Sequence, residues 1–404
     1  MTTTDGGSAG YYLLVLLAVL LLALPRAPGL PVLDTAHRRA YLGLGIAAGV
    51  LLLGVMVSLL VHGLWKGSEV EKGARLLTVV GLLLAALRVP RPVLARALLG
   101  TLPAVWCAAA TVGWLVLSTG GRPATAQFNA VTYGDLTLLF SVICFFSLGM
   151  QLTPWRRTET VLKVITCVLG VGAFLLTQTR GGLLAIPCFV LIGILVQGRR
   201  MNLYKWAGAL VLLAGIGALV AQDSSLRQRI DAGVSEYSDC QPTHLADTSV
   251  CIRLQLWNAA LHMYRSEPWV GVGGGDRFRQ ELEALASQQK VSEMVARDFG
   301  EAHNDLLYFM ATYGVLGGLG LVLTYLAPAL LFAPRLWRGS PAQRLFAGAG
   351  MAMCVGFAVF GITEMMLRDM RTASFYAAWI GLFLALSHRR AEDAADQPPA
   401  SAAR

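Results

Sequence analysis

The chain has 404 residues, of which 55% are hydrophobic and only 14% are charged, and its formal net charge is +9. Soluble domains carry charged side chains at about a quarter of their positions, so this composition excludes an ordinary soluble globular protein. The Lys and Arg residues lie in short segments between apolar runs, which argues against a nucleic-acid-binding protein with one basic face. We therefore interpret the chain as a polytopic membrane protein.

The apolar runs predict an all-α fold with about 11–12 transmembrane helices, since a spanning helix needs about 20 mainly apolar residues. The first run is broken by Pro25, Pro28 and Pro31, and because more spans follow, we interpret it as a membrane anchor rather than a signal peptide. Eleven runs are counted, at residues 11–33, 41–61, 74–88, 93–118, 131–151, 160–176, 181–197, 203–221, 305–333, 345–363 and 372–387.

Basic residues alternate along the connections, which predicts the topology by the positive-inside rule. The basic connections, expected in the cytoplasm, are 36–39, 88–96, 153–160, 198–205, 334–344 and 387–390. The others, expected to face the periplasm of a bacterial inner membrane, are 62–73, 118–131, 177–182, 222–304 and 364–371. We expect a monomer or weak oligomer in contact with membrane lipids.

Four regions follow from this topology. They are N-terminal transmembrane helices (1–221), a partly helical periplasmic loop domain with amphipathic helices (222–304), C-terminal transmembrane helices (305–390) and a disordered cytoplasmic tail (391–404). So long a loop in a compact membrane protein is uncommon unless it has a function.

Within the long loop, residues 249–267 have apolar residues at helical spacing, with Thr248 or Ser249 as N-cap and Pro268 as stop. Cys240 and Cys251 lie in the same loop, and an oxidising compartment favours a disulfide between them over two unpaired thiols. The absence of a C-x-x-C spacing argues against structural zinc.

Two glycine-rich segments border the end of the loop. GVGGGDRF (271–278) lacks the G-K-[ST] ending of a phosphate loop and has no preceding strand, so we interpret it as a flexible turn. Gly314, Gly317, Gly318 and Gly320 have spacings typical of close helix packing.

Two arginines on the outward side are candidates for binding an anion. Arg180, in TQTRGG between two spans, is costly to bury without a partner or an aqueous cavity, although an interfacial snorkelling arginine remains the alternative. Arg253 lies near the start of the loop helix, where its charge opposes the helix dipole. A phosphate there would bind both the guanidinium and free backbone N–H groups, while a salt bridge to Asp247 or to another acid of the loop is the alternative.

His303 stands where the loop gives way to a transmembrane run, and it is the candidate general base because its ordinary pKa is near 6.5. The alternative is a residue that caps and hydrates a helix end. Glu301 and Asp305 flank it, but positions i and i+2 of a helix point apart and no second histidine lies nearby, so we expect no metal site. The link 364–371 concentrates Glu364, Arg368, Asp369 and Arg371, which either line the same cavity or form a solvated corner; we expect Asn304, Asp369 and Arg371 to line it.

Three motifs in order resemble the bacterial O-antigen ligase and polymerase superfamily. They are RGGLLA, then IRLQLWNAALHMYRSEPWVGVG, then EAHNDLL followed by a glycine eleven residues after the histidine. The resemblance covers about residues 177–320, and the earlier spans are similar only in number and hydrophobicity. Asp305 departs from the amide or hydroxyl residue frequent at that position, which leaves its role open.

The resemblance implies a GT-C-like, inverting glycosyltransferase. We expect it to be metal-independent and without a cofactor, because two arginines can neutralise the leaving pyrophosphate and a histidine can act as the base. It would transfer O-antigen from undecaprenyl pyrophosphate to a hydroxyl of lipid A–core in lipopolysaccharide biosynthesis. Residue by residue, it implies that Arg180 and Arg253 bind the pyrophosphate and that His303 activates the acceptor. The spacing of these three residues favours a ligase over an O-antigen polymerase.

Two other classes remain as alternatives. A transporter or flippase of lipid-linked glycans would be expected to show an ionisable path through the membrane and an inverted repeat, neither of which is evident. A non-catalytic scaffold would not explain two arginines and one histidine at three outward boundaries.

Overall fold

The structure is a computed structural model that describes residues 6–26, 33–120, 123, 130–179, 181–197, 235–237, 240 and 245–388. Within these residues the chain forms α-helices joined by short loops and 3₁₀ turns, with no strand. The helices are α1 Gly6–Ala23, α2 Thr35–Val61, α3 Gly67–Ala86, α4 Arg91–Ala95, α5 Thr101–Thr119, α6 Ala130–Ser147, α7 Arg156–Leu176, α8 Ile186–Gln197, α9 Ser249–Ser266, α10 Gly275–Ser287, α11 Glu293–Asp298, α12 Asp305–Arg338, α13 Pro341–Phe360 and α14 Met370–Leu386.

The all-α polytopic class predicted from the sequence is confirmed. Among the described residues, six helical segments are long and apolar enough to span a membrane: Thr35–Val61, Arg91–Thr119, Ala130–Ser147, Arg156–Leu176, Asp305–Arg338 and Pro341–Phe360. Three shorter apolar helices accompany them, at Ser8–Ala23, Gly181–Val196 and Met370–Leu386. The predicted run 74–88 corresponds to α3, which is in neither of these two groups. Ten of the eleven predicted runs therefore correspond to helices, and the run 203–221 lies outside the described residues.

Four of the six predicted basic connections, 36–39, 88–96, 334–344 and 387–390, lie at or beside helix ends that contact one another. Arg91 Nη2 donates to the carbonyl of His388 at 2.6 Å, and Arg335 Nη1 donates to Ser387 Oγ at 2.6 Å. Tyr41 Oη lies 2.8 Å from His388 Nδ1. The starts of α2 and α4 and the ends of α12 and α14 thus meet, in agreement with the alternation of basic connections along the chain.

The predicted outward connections meet at the other end. His62 Nε2 hydrogen-bonds to the carbonyl of Gly271 at 2.7 Å, which joins the link after α2 to the long loop. Thr179 Oγ1 donates to the carbonyl of Ala130 at 3.2 Å, which joins the turn after α7 to the start of α6. A Cβ at Gly181 would lie 2.3 Å from Thr363 Oγ1, so the same turn also contacts the link between α13 and α14.

Gly314 breaks α12, which corrects two expectations. It has φ 66° and ψ −156°, so it kinks the helix instead of serving close helix packing. The kink exposes carbonyls that the GVGGG loop uses: Val272 N donates to Ala311 O at 2.9 Å and Gly273 N donates to Thr312 O at 3.1 Å. Gly271, Val272, Gly273 and Gly274 of this loop are all buried. This segment packs against α12 and hydrogen-bonds to its backbone, so it is not a flexible turn.

Gly317 and Gly320 serve close helix packing, as predicted from their spacing, whereas Gly318 faces the side chain of Met310 in α12 itself. A Cβ at Gly320 would lie 2.4 Å from Leu51 Cα, and one at Gly54 would lie 3.0 Å from Gly317 N. α2 and α12 therefore approach each other along their backbones, which small residues permit. This contact holds the N-terminal end of α12 against the rest of the bundle.

The loop helix α9 begins and ends as the sequence indicated, with Thr248 as N-cap and Glu267 as C-cap before Pro268. Leu256, Ala260 and Met263 form its buried face. A disulfide joins Cys240 to Cys251 in the first turn of α9, with Cα atoms 5.4 Å apart. The bond ties the preceding segment to the helix that carries Arg253.

Candidate functional site

His303 lies directly before α12 in an unusual backbone conformation. Its φ is +46°, in the left-handed region where few residues other than glycine occur, with Asn, Asp and His enriched among those that do. Asn304 is the N-cap: its side-chain oxygen accepts from Leu307 N at 3.0 Å, and its Nδ2 donates to Ile362 O at 3.0 Å. Asn304 therefore caps the helix and frees His303 from that task.

The imidazole of His303 is held by a carboxylate. Nδ1 lies 3.0 Å from Oε1 of Glu364, which belongs to the link between α13 and α14. The side chain of His303 is 16% exposed and that of Glu364 is 3% exposed. Because an ionised carboxylate only accepts hydrogen bonds, Nδ1 carries the proton and Nε2 holds the lone pair. No hydrogen bond among the described residues occupies Nε2.

A second carboxylate and an arginine complete this cluster. Glu301 Oε1 lies 3.7 Å from His303 Nδ1, and the other oxygen of Glu301 forms an ion pair with Arg368. The Arg368 guanidinium lies over the ring of Tyr308, 5.5 Å from its centroid, and Phe299 contacts His303 edge-on at 5.5 Å. His303 is thus enclosed by one aromatic ring and two acids.

The surroundings of His303 raise its pKa above the usual value near 6.5. Burial lowers the pKa, but the hydrogen bond to Glu364 and the negative charges of Glu364 and Glu301 outweigh burial. Arg253 opposes this shift, so its guanidinium is close enough for its charge to act on the imidazole. The loop helix α9 therefore brings its arginine to the same region as His303.

Arg253 has a free side of its guanidinium. Nη1 donates to Ser249 Oγ at 3.3 Å, while the buried Nε has no hydrogen-bond partner in the part of the chain described here. The alternative, a salt bridge to Asp247 or to another acid of the loop, is not observed among the described residues: Asp247 accepts a hydrogen bond from Ser292 Oγ at 2.5 Å. A half-buried guanidinium with an unpartnered nitrogen fits an anion binder.

Arg180, the third predicted residue, lies outside the described residues. Its neighbours show where the turn runs: Thr179 is buried, and a Cβ at Gly181 would meet the side chain of Thr363, the residue before Glu364. The turn that contains Arg180 is therefore adjacent to the link that holds His303.

Asp305 fixes the link between α13 and α14. Its carboxylate accepts from Met366 N at 3.1 Å, from Leu367 N at 3.3 Å and from Tyr325 Oη at 2.9 Å. Its backbone N donates to Gly361 O at 2.8 Å. The departure from the family pattern at this position thus has a structural role, because Asp305 holds the segment that presents Glu364 to His303.

Asp369 and Arg371 contact each other instead of His303. Asp369 is the N-cap of α14 and accepts from Arg371 N at 2.7 Å, and the two side chains form an ion pair at 2.8 Å. The Asp369 pKa is lowered: burial would raise it, but the hydrogen bonds from Arg371 prevail. The sequence analysis placed Asp369 and Arg371 in the link that contacts His303. The residue of that link that hydrogen-bonds to His303 is Glu364.

The sequence named Glu364 only as one of the charged residues of the link 364–371, and it did not pair Glu364 with His303. Glu364 stands 61 residues after His303, and no local pattern links the two residues. The signals in the sequence were that both residues stand at outward ends of transmembrane runs and that charged residues concentrate in this link.

Glu301, His303 and Glu364 have ligand atoms within 4.8 Å of one another, a spacing that could hold a cation. Glu301, His303 and Asp305, the set for which the sequence analysis expected no metal site, do not converge, since the Asp305 carboxylate accepts hydrogen bonds from the backbone of the 366–367 segment. Arg368 already neutralises Glu301. A metal on Nδ1 would also require the proton on Nε2, so these residues cannot bind a metal through Nδ1 and keep Nε2 as a base.

Comparison with known proteins gives one family match. Residues 165–322 match the family described as O-Antigen ligase, a segment that runs from within α7 to within α12 and covers less than half of the chain. None of the curated proteins searched matches the chain. The matched segment includes the three motifs, and it confirms that this chain resembles the bacterial O-antigen ligase and polymerase superfamily of membrane glycosyltransferases.

Proposed function

We propose that the protein is an O-antigen ligase of the bacterial inner membrane with its active site in the periplasm. It transfers O-antigen polysaccharide from undecaprenyl pyrophosphate to a hydroxyl of lipid A–core. The observation that carries the proposal is the His303 imidazole, oriented by Glu364 and with Nε2 open, in the region reached by the charge of Arg253.

The donor pyrophosphate is bound by Arg253 and Arg180. Arginine presents a planar fork of donors that matches phosphate oxygens, and the open Nε of Arg253 offers one of these donors. Negative charge develops on the pyrophosphate as the bond between the anomeric carbon and the phosphate oxygen breaks. Fixed positive charge stabilises this leaving group without a metal ion.

His303 takes the proton of the acceptor. Nε2 accepts it from the lipid A–core hydroxyl while that oxygen attacks the anomeric carbon from the side opposite to the leaving pyrophosphate, which inverts the configuration. Glu364 stabilises the resulting imidazolium, as a carboxylate does for the histidine of a catalytic triad. General-base assistance of this kind contributes about 10²–10⁴-fold.

The test is lipopolysaccharide banding in a strain that lacks this protein. We expect loss of the whole O-antigen ladder, accumulation of long lipid-linked polymer, and restoration by the wild-type chain but not by His303→Asn. Asparagine tolerates the left-handed backbone of this position, so the variant keeps the fold. Membrane abundance of each variant serves as the control.

Two outcomes would refute the proposal. A ladder reduced to a single repeat in the deletion strain would indicate an O-antigen polymerase, which uses a second lipid-linked glycan as acceptor. A full ladder with the His303→Asn variant would remove the general base from the mechanism.

A further inference from the structure

A polar cleft lies near His303, and it is lined by Gly300 and Arg368. Its volume is about 450 Å³, within the range of small-molecule binding sites. It lies between the starts of α3, α10 and α14. Lys66, Ser68, Glu69, Lys72, Gly275, Asp276, Arg279, Gly300, Arg368 and Met370 line it.

The charge of this cleft is positive. Four basic side chains line it against two acids, Glu69 and Asp276. Lys66 pairs with the exposed Asp276 at 2.5 Å, and Lys72 pairs with the buried Glu69 at 3.0 Å. Arg279 is exposed and has no ion pair with any of the described residues. The cleft therefore keeps positive charge that its own acids do not neutralise.

The local backbone adds to this potential. α3 and α10 both begin at the cleft, and neither has a side-chain cap at its N-cap residue, Lys66 and Gly274 respectively. The N-terminal end of a helix carries partial positive charge and free N–H groups that favour an anion. These dipoles reinforce the basic side chains at the same place.

Arg368 and Gly300 connect the cleft to the candidate base. Arg368 lines the cleft and pairs with Glu301, whose other oxygen lies 3.7 Å from His303 Nδ1. A Cβ at Gly300 would lie 3.1 Å from Nε and Nη2 of Arg279, so the arginine lies across the backbone three residues before His303. A ligand in the cleft is thus two side chains away from the imidazole.

We propose that this cleft binds an anionic group, a phosphate or carboxylate, of the sugar acceptor and thereby directs the acceptor hydroxyl to His303. The assignment of the anion to the sugar acceptor rests on the proposed function. Binding of an anion by the cleft does not depend on it. Lys66 and Arg279 are the residues that contact the anion, since both are exposed, Arg279 has no ion pair with any described residue, and the ion-pair partner of Lys66 is the exposed Asp276.

The binding test uses glucose 6-phosphate as the probe and glucose as its neutral control. Purified protein in phosphatidylcholine nanodiscs is titrated with each sugar, and binding is followed by saturation-transfer NMR. We expect the phosphate sugar to bind and glucose to bind at least tenfold more weakly. The double variant Lys66→Gln, Arg279→Gln should raise the Kd of the phosphate sugar at least tenfold.

Arg277→Gln is the matched control. Arg277 lies on α10 as well, but about 200° around the helix axis from Arg279, and it does not line the cleft. Its Kd should equal that of wild type. His303→Asn should also bind the probe normally, so a failure of transfer chemistry is distinguished from a failure of the cleft.

Three results would overturn the inference. They are equal affinity for glucose and its phosphate, unchanged binding in the double variant, and loss of probe binding when phosphatidylglycerol is added to the nanodiscs. The last result would assign the cleft to a lipid headgroup. In the transfer assay, the double variant should raise the KM for acceptor about tenfold while the KM for donor stays unchanged.

Discussion

The two ends of the helical bundle each hold a histidine, and their surroundings differ in kind. His388, at the basic end, is 2% exposed. Its Nδ1 pairs with the hydroxyl of Tyr41, its ring contacts His37 edge-on at 4.4 Å, and its carbonyl accepts from Arg91. Its neighbours fix it in place as part of a helix–helix junction.

His303, at the other end, is held by a carboxylate and surrounded by charges. Glu364 and Glu301 lie on one side, the charge of Arg253 reaches the ring, and Nε2 has no partner in the described chain. Its backbone is also held at a positive φ. Strain and unpartnered polar atoms concentrate where a protein acts on a ligand. His388 therefore stabilises the packing of helices, whereas the surroundings of His303 suit it to proton transfer.

Replacing each histidine by asparagine is the strongest test of this comparison, and we expect the two variants to differ most in transfer rate. His303→Asn should slow glycan transfer by about 10²–10⁴-fold, because the general base is lost. His388→Asn should leave the rate within about twofold and lower stability by about 1 kcal/mol, through the weakened hydrogen bond to Tyr41. The measurements are single-turnover transfer from lipid-linked donor and thermal unfolding in detergent. Equal loss of rate in both variants would contradict the distinction.

Arg253 is expected to act on the donor. Arg253→Ala should raise the KM for donor by about 10–100-fold, since a charge-assisted hydrogen bond contributes about 1.5–3 kcal/mol. Arg265→Ala, in the last turn of the same helix, is the matched control and should change the KM less than twofold. Steady-state kinetics with varied donor measure the difference. A variant with normal donor KM and reduced acceptor affinity would place Arg253 on the other substrate.

Glu364 is expected to act through His303, as a positioning residue. The neutral imidazole is the base, so the transfer rate should rise with pH through the pKa of His303, which the carboxylates raise above its usual value. Glu364→Gln removes one negative charge, so the midpoint should move to lower pH and the plateau rate should fall about tenfold, or about 1.4 kcal/mol. The pH profile of kcat/KM is the measurement.

Glu283→Gln, on the exposed face of α10, is the control for Glu364 and should leave the profile unchanged. A fall in rate at every pH without a shift of the midpoint would mean that Glu364 only supports the fold of the link. Glu364→Asp should keep the high midpoint, because the charge is retained.

The sequence predicted the parts of this site that depend on local pattern. Apolar runs and basic connections predicted the helices and which connections meet, and the cap and stop residues of α9 set its limits within one residue. Glu364 could not be found in this way, because its contact with His303 depends on how Asp305 holds the 366–367 backbone. The kink at Gly314 was missed for a similar reason: its spacing fits helix packing, and only the docked GVGGG loop explains its positive φ.

Removing divalent cations should not change the transfer rate, which makes it the smallest effect among these predictions. In the proposed mechanism, two arginines and a histidine supply the charge and the base, so a chelator should leave the transfer rate unchanged. Added Zn²⁺ should inhibit, because Glu301, His303 and Glu364 can gather around a cation and metal on Nδ1 would move the proton to Nε2. Glu364→Gln should reduce this inhibition by removing one ligand. Activity that disappears with chelator and returns with a divalent ion would show that the three residues hold a catalytic metal, and would replace the general-base mechanism.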